Sequence, residues 1–236
     1  IKDKLENDPF ETRLAHLFNG LSDKEFLKFG RSWRDRIPGY FQIMSNSKIL
    51  NVMESLLGPE IFANPVYNVR PKVPKVAAGA VPWHQDKSYW AESSAKPVIT
   101  IWIPIVDANR HNGCLEIIPR SHESSLQKYG KESYSGTGLH EVMPEFVEKF
   151  KNDIISLPLK AGDVLIFNDL FLHSSTPNHS DHVRWSLDLR YQPANQDPMT
   201  QHGIGFLARS KKHPEKVANL ADWLAGRTIH SEVKFS

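Results

Sequence analysis

His84-Gln85-Asp86, a distant His173, and the pair Arg184 and Ser186 are the residues here whose types and order could do chemistry. Two imidazoles and one carboxylate fill three positions on one face of an iron(II) ion and leave three open. An arginine and a serine two residues apart offer a cation and a hydroxyl to a small dicarboxylate. Such a set points to an oxygenase that uses iron and 2-oxoglutarate. A bare His-x-Asp is a weak motif, so the argument rests on the distant His173 and the Arg-x-Ser that follow it. In a strand or at its end, residues i and i+2 face the same side. His84 and Asp86 are therefore expected to look into one interior, with Gln85 turned away. His173 must come from a separate strand, and it follows the strand-like run Val164-Leu165-Ile166-Phe167.

The elements that must hold these residues fall into two regions. Residues 1–58 read as helical. Pro9 to Ile37 mixes Leu14, Leu17, Phe18, Leu21, Phe26, Leu27 and Trp33 with charges, as amphipathic helices do. A clearer helix follows, capped by Ser45 or Asn46, with Ile49, Leu50, Met53, Leu56 and Leu57 on one face and Gly58-Pro59 as its stop. From residue 61 short strands take over. Ile99, Ile101, Ile103 and Ile105 alternate with Val98, Thr100, Trp102 and Pro104, a period of two with both faces apolar enough to be covered. Asn112-Gly113 marks a turn before a strand from Leu115 to Ile118. Leu157 to Leu159 and Val164 to Phe167 read as a strand pair about the turn Ala161-Gly162-Asp163. Val183 to Tyr191 is a further strand with Trp185, Leu187 and Leu189 on one face. Residues 121–152 are irregular before a helix from Pro144 to Phe150, residues 192–210 are irregular, and Pro214 to Leu224 reads as a short helix. The fold class is mainly β with flanking helices: a β-barrel or double-sheet jelly roll. It is read as a single domain over 1–236, with a helical flank at 1–58, a barrel core at about 61–191 and a C-terminal segment at 192–236.

Composition removes several function classes. A formal net charge of +2 is too small to argue for nucleic acid or an acidic membrane surface as a partner. No apolar run reaches the roughly 18–20 residues of a membrane-spanning helix. A sole cysteine, Cys114, excludes an intramolecular disulfide and fits a reducing compartment such as the cytoplasm. The chain opens at Ile1 rather than Met, which leaves room for a removed targeting segment, and its final Lys-Phe-Ser is not a Ser-Lys-Leu address. There is no His-Glu-x-x-His, phosphate loop or Gly-x-Ser-x-Gly elbow. A small-molecule substrate is expected. The oligomeric state is left open.

Several motifs in order resemble the phytanoyl-CoA dioxygenase family, a branch of the iron(II)/2-oxoglutarate oxygenases with a double-stranded β-helix. Val81-Pro82-Trp83-His84-Gln85-Asp86 with Tyr89-Trp90 resembles its first metal segment. Trp102 to Asp107, Asn112 to Glu116 and Pro119-Arg120-Ser121-His122 resemble its middle segment. Ala161 to Val164, His173, Ser175, Asn178, Arg184 and Ser186 resemble its last, and Gly205 to Ser210 matches a tail of bacterial-type members. The likeness covers about residues 45–225.

The resemblance implies iron bound by His84, Asp86 and His173, with Arg184, eleven residues after His173, on the distal carboxylate of 2-oxoglutarate. Ser175 and Ser186 would add hydrogen bonds, and Trp102 would line the pocket, although it would serve equally as barrel core. Lys72 is a co-substrate candidate whose place Arg70 or Lys75 could equally take. Arg190 reads as structural, His122 as a loop brace, and His179 and His182 as the flanks of a polar turn. Tyr89, Trp90, Tyr129 and Tyr134 are candidates for substrate contact. The implied reaction consumes O2 and 2-oxoglutarate, releases succinate and CO2, and hydroxylates an unactivated C–H bond. Desaturation, epimerisation or ring formation share the same start. Asp86 argues against halogenation, because related halogenases lack this carboxylate. Two alternatives stand: a non-catalytic metal- and 2-oxoglutarate-binding barrel, and a cupin-like enzyme independent of 2-oxoglutarate.

Overall fold

The computed structural model describes residues 6–18, 22–29, 35–90, 96–130, 139–197 and 199–227. Helices α1 (Phe10–Phe18), α2 (Asp23–Phe29), α3 (Pro38–Met44) and α4 (Ser47–Leu57) precede the strands. Leu21, Trp33 and Tyr134 lie outside the described residues, as does the side chain of Leu27. Asn46 is the cap of α4: its Oδ1 accepts from the Lys48 amide at 2.9 Å. Ser45 instead donates to the Phe41 carbonyl. Leu50 and Met53 are buried and Ile49 and Leu57 pack beside them, but Leu56 is 53% exposed. At about 100° per residue Leu56 falls at the edge of that stripe rather than on it.

The strands form two antiparallel sheets. The larger contains β1 (Ile61–Ala63), β2 (Asn68–Lys72), β4 (Ile99–Pro104), β9 (Leu165–Asn168), β11 (Arg184–Pro193) and β12 (Phe206–Arg209). The smaller runs β3 (Val81–His84), β10 (His173–Ser175), β5 (Leu115–Ile117), β8 (Ile155–Leu157). This is the expected jelly-roll architecture. Strand β11 is central. It pairs with β4 along one edge and with β2 and then β1 along the other.

The two faces of the large sheet have opposite characters. Ile99, Ile101, Ile103, Leu187, Leu189 and Tyr191 point outward into a core closed by α3, α4 and α6 (Leu220–Leu224). Trp185 shares their face but sits at its margin, stacked on Phe10 of α1 at 5.9 Å. Thr100, Trp102, Arg184, Asp188 and Arg190 line the opposite, inner face. Alternation along β4 and β11 thus separates an apolar support from a polar interior.

Four sequence expectations need correction. The segments around Gly162 are not a strand pair: β8 pairs with β5 and β9 with β4, so this turn crosses between sheets. The crossing is held by the Asp107 carboxylate, which accepts from the Ala161 amide and Lys160 Nζ. Residues 192–210 are not wholly irregular, since β12 adds to the edge of β1. Residues 121–152 include a short ladder of β6 (Tyr129–Gly130) on β7 (Glu141–Val142) before α5 (Pro144–Glu148). Finally, 214–224 is interrupted, because Asn219 caps a new helix through the Asp222 amide. Among the described residues no helix is long and apolar enough to cross a membrane.

Candidate functional site

Strand register brings the histidines together. His84 ends β3 and His173 begins β10, and the two are direct cross-strand partners with ring centroids 4.1 Å apart. Gln85 remains extended, so alternation persists past the end of β3 and returns Asp86 to the histidine side. One ligand atom each from His84, Asp86 and His173 lies within 4.8 Å of the others, and all three residues are buried. Gln85 faces away, as expected, and braces two loops: its amide donates to the Leu170 carbonyl and its oxygen accepts from the Gln127 amide.

Second partners fix how these groups present themselves. His84 Nδ1 lies 2.9 Å from the Pro82 carbonyl, and His173 Nδ1 2.9 Å from that of Phe171. A carbonyl only accepts, so each Nδ1 carries the proton and each Nε2 keeps a lone pair for a metal. Burial, aided by the other imidazole, pushes His84 down to about 3, and burial lowers His173 as well. Asp86 Oδ1 lies toward His84 Nε2 at 3.7 Å. Its Oδ2 accepts from Thr100 Oγ1 at 2.8 Å and from Arg190 Nε and Nη2 at 3.0 and 2.8 Å. Burial alone would raise the Asp86 carboxyl, but Arg190, with the two imidazoles and Thr100, outweighs it and holds it at about 2. Two neutral imidazoles with one ionised carboxylate fit a divalent iron ion.

Arg190 therefore does more than the structural part expected of it. Its Nη1 donates to Asp188 Oδ2 and to the Val66 carbonyl. Asp188 in turn accepts from Asn68 and from both Nε and Nη2 of Arg70. Burial opposes its ionisation, yet Arg70 and Arg190 keep it well below the usual carboxylate range. Asp188, Thr100 and Asn68 were not singled out from sequence. A signal was available: Arg184, Ser186, Asp188 and Arg190 alternate with Trp185, Leu187 and Leu189, a charged face inside an apolar strand.

Arg184 is different. It is 3% exposed, donates to Ser186 Oγ and the Gly113 carbonyl, and lies over the Trp102 ring at 5.4 Å. Its Nε is buried without a hydrogen-bond partner, and no carboxylate pairs with it among the described residues. Burial, with Arg70 near it, draws Arg184 down to about 10. A buried guanidinium in this state calls for an anion. Lys72 is opposite Arg184 in register, and its Nζ donates to Ser175 Oγ and the Thr176 carbonyl. Arg184, Ser175, Trp102 and Lys72 line one cavity with His84 and His173. Ser186 joins it through Arg184. The Asn112-Gly113 turn has a tighter role than its sequence suggested. Gly113 has φ +86°, and a Cβ there would meet Lys72 Cδ at 2.5 Å and the Thr176 carbonyl at 2.6 Å.

Lys75 is exposed beside Asp181 and is not among the lining residues. His122, His179 and His182 are exposed as well, and Asn178 builds the turn between the last two by accepting from Ser180 and donating to His182. A second cavity shares Arg70, Val81, His84 and Arg190 with the first and adds Val66, Asn68, Asp86, Tyr89, Trp90, Leu139 and His202. Tyr129 is one layer back: His140 stacks between the rings of Tyr89 and Tyr129, at 4.6 and 4.8 Å.

The model of the family described as phytanoyl-CoA dioxygenase (PhyH) matches residues 12–186. That match takes in the early helices and stops short of the tail. A peroxisomal phytanoyl-CoA dioxygenase of Bos taurus is 26% identical over 157 residues, 66% of this chain and 46% of that protein. A 1-deoxypentalenic acid 11-beta-hydroxylase of Streptomyces exfoliatus is 30% identical over 167 residues, 66% of this chain and 58% of that protein. The chain thus spans about half the length of the curated relatives it matches. Among solved structures, the apo form of the non-heme monooxygenase ThoJ superposes with a TM-score of 0.61 at 18% identity, covering 85% of this chain and 72% of that one. This likeness is one of fold.

Two outcomes are expected from the ligand environment. An unfolded imidazole takes up its proton below about 6.5, whereas native His84 does so only near 3; Asp86 adds to the effect only below about 3.8, the ordinary aspartate value, since its native carboxyl is held at about 2. The unfolded state therefore binds more protons over that range, and stability is lost as pH falls from about 6.5 toward 3. The thermal midpoint of metal-free protein should drop steadily through this window; a flat midpoint would contradict the assigned burial. Separately, Arg190→Lys keeps a charge but loses the two-point grip on Asp86. Iron(II) affinity should fall about 10- to 100-fold, as read by anaerobic calorimetry, and wild-type affinity would refute the role given to Arg190.

Proposed function

The chain belongs to the phytanoyl-CoA dioxygenase family, and on that premise we propose that it is an iron(II)- and 2-oxoglutarate-dependent oxygenase that hydroxylates a C–H bond of a small organic molecule. One domain carries the activity. The observation that carries this reading is the buried Arg184, with its orphaned Nε, in the same cavity as His84 and His173. A metal site alone would not need a desolvated guanidinium without a carboxylate, whereas a dicarboxylate co-substrate supplies the missing anion.

His84, Asp86 and His173 would hold iron through the Nε2 atoms and Oδ1. Iron with 2-oxoglutarate supplies the oxidising power, in the balance R–H + 2-oxoglutarate + O2 → R–OH + succinate + CO2. Arg184 engages the distal carboxylate of 2-oxoglutarate with its fork, and Ser186 and the Gly113 carbonyl hold that fork in plane. Lys72 adds a second cation and Ser175 a hydroxyl. Trp102 covers the guanidinium and excludes water from the pair. Arg190 and Thr100 occupy Oδ2 of Asp86, which leaves Oδ1 as the metal-facing oxygen. The apolar and aromatic lining of Val66, Tyr89, Trp90 and Leu139 is where the substrate would lie. Hydroxylation is favoured over the other outcomes because the Streptomyces relative is named a hydroxylase.

The test is an anaerobic titration of the iron(II) protein with 2-oxoglutarate, following the visible charge-transfer band of the chelate. The band should appear in wild type, require at least about tenfold more 2-oxoglutarate in Arg184→Ala, and be accompanied by loss of hydroxylation in Asp86→Gly. No band despite bound iron, or unchanged affinity in Arg184→Ala, would sink the assignment.

A further inference from the structure

Resting on that reading, we propose that Arg70 is the anchor for an anionic substrate, and that the substrate is an organic acid whose carboxylate docks on the outer edge of this guanidinium. Arg70, Lys72, Arg184 and Arg190 stand against Asp86 and Asp188, four cations to two carboxylates. Iron(II) and 2-oxoglutarate carry opposite charges of equal size, so loading the site leaves this positive excess in place. An excess of two charges in a largely desolvated interior favours a further anion.

Two of the four cations, Arg70 and Arg190, line the second cavity. Arg190 directs Nε, Nη1 and Nη2 to Asp86, Asp188 and Val66. Arg184 and Lys72 belong to the co-substrate cavity and do not line the second one. Arg70 is two residues back along β2 from Lys72, about 7 Å, and lines both cavities. Its Nε and Nη2 are held edge-on by Asp188 at 2.7 and 3.1 Å. Its Nη1 has no hydrogen-bond partner among the described residues, and 27% of its side chain is accessible. A planar guanidinium fixed along one edge by a buried carboxylate presents its other edge in a set direction. Val66, Val81, Trp90 and Leu139 offer that cavity's apolar contacts to a carbon skeleton, beside the polar Asn68, Tyr89 and His202. His84 and Asp86 border the same space, so an acid docked on Arg70 would lie beside the metal ligands.

The experiment is calorimetry on the anaerobic protein loaded with iron(II) and 2-oxoglutarate. The probes are decanoate and 1-adamantanecarboxylate, each compared with its primary amide, which keeps the shape and removes the charge. Wild type should bind at least one acid about 10- to 100-fold more tightly than its amide. Arg70→Gln should erase that preference. Arg70→Lys, which keeps a cation beside Asp188 and so protects the fold, should erase most of it. Both should need no more than about twice the wild-type 2-oxoglutarate to develop the chelate band. The proposal is overturned if wild type shows no preference for either acid, or if the variants retain it. It is also overturned if 2-oxoglutarate binding weakens as in Arg184→Ala, because Arg70 would then serve the co-substrate. Absence of the band in wild type is a separate result, which removes the oxygenase reading itself.

Discussion

A carboxylate that is 2% exposed must stay ionised at position 86, and the Arg190 guanidinium is what permits it. Removing a charge from water to this depth is costly unless it is paired and hydrogen-bonded. Arg190 meets both needs with two donors to Oδ2, and Thr100 adds a third. The pairing only works if β11 lies beside β4, with Arg190 opposite Thr100. The order of strands in the large sheet is thus tied to the ionisation of one group at the mouth of the small one. Buried ion pairs are often no more stabilising than apolar packing of the same volume. The network is better understood as setting geometry than as holding the fold together.

What holds the fold together lies on the other face of the same strand. Leu187, Leu189 and Tyr191 are buried with Ile101, Met53, Phe206 and Trp223, and the Tyr191 hydroxyl donates to the Met44 carbonyl. Burial of such side chains contributes on the order of 1.5–3 kcal/mol each. That support lets the inner face carry charges that would destabilise an isolated sheet. It also keeps them in place before any ligand arrives, and preorganised charge is more effective than charge that must be recruited.

The cations of the inner face have distinct states despite their proximity. Arg190 is saturated between two carboxylates, Arg70 is held along one edge, and Arg184 is buried with an orphaned Nε. Their order follows the cleft. The orphan sits in the cavity with Lys72 and Trp102, the saturated group is bonded to the Asp86 carboxylate, and the half-held group lines both cavities. Gly113 is part of this arrangement, since its bare Cα lets the Lys72 stem and the Thr176 carbonyl approach from one side while its own carbonyl holds Arg184.

Much of this was legible in the chain alone. The spacing of His84 and Asp86 places both side chains on one side of the chain, as the structure has them beside His173, because alternation along a strand is a local property. The change from helical to two-residue periodicity near residue 61 gave the fold class for the same reason. Local patterns failed where partners were remote. The turn at Gly162 looked like a hairpin because nothing nearby reveals that β8 and β9 enter different sheets. Helical periodicity runs unbroken from Pro214 to Leu224, and only the Asn219 cap, a single-residue signal, marks where the helix starts. Arg70, Arg184 and Arg190 are alike as residue types, and only the tertiary structure assigned each its neighbours. Asp86 meets Arg190 across 104 residues and Arg70 meets Asp188 across 118, contacts fixed by cross-strand register rather than by sequence proximity. Residue types and their spacing specify which groups could bind a metal and an anion. The fold decided which cation is satisfied, which is orphaned and which is held along one edge, because the state of a buried charge depends on what surrounds it in space.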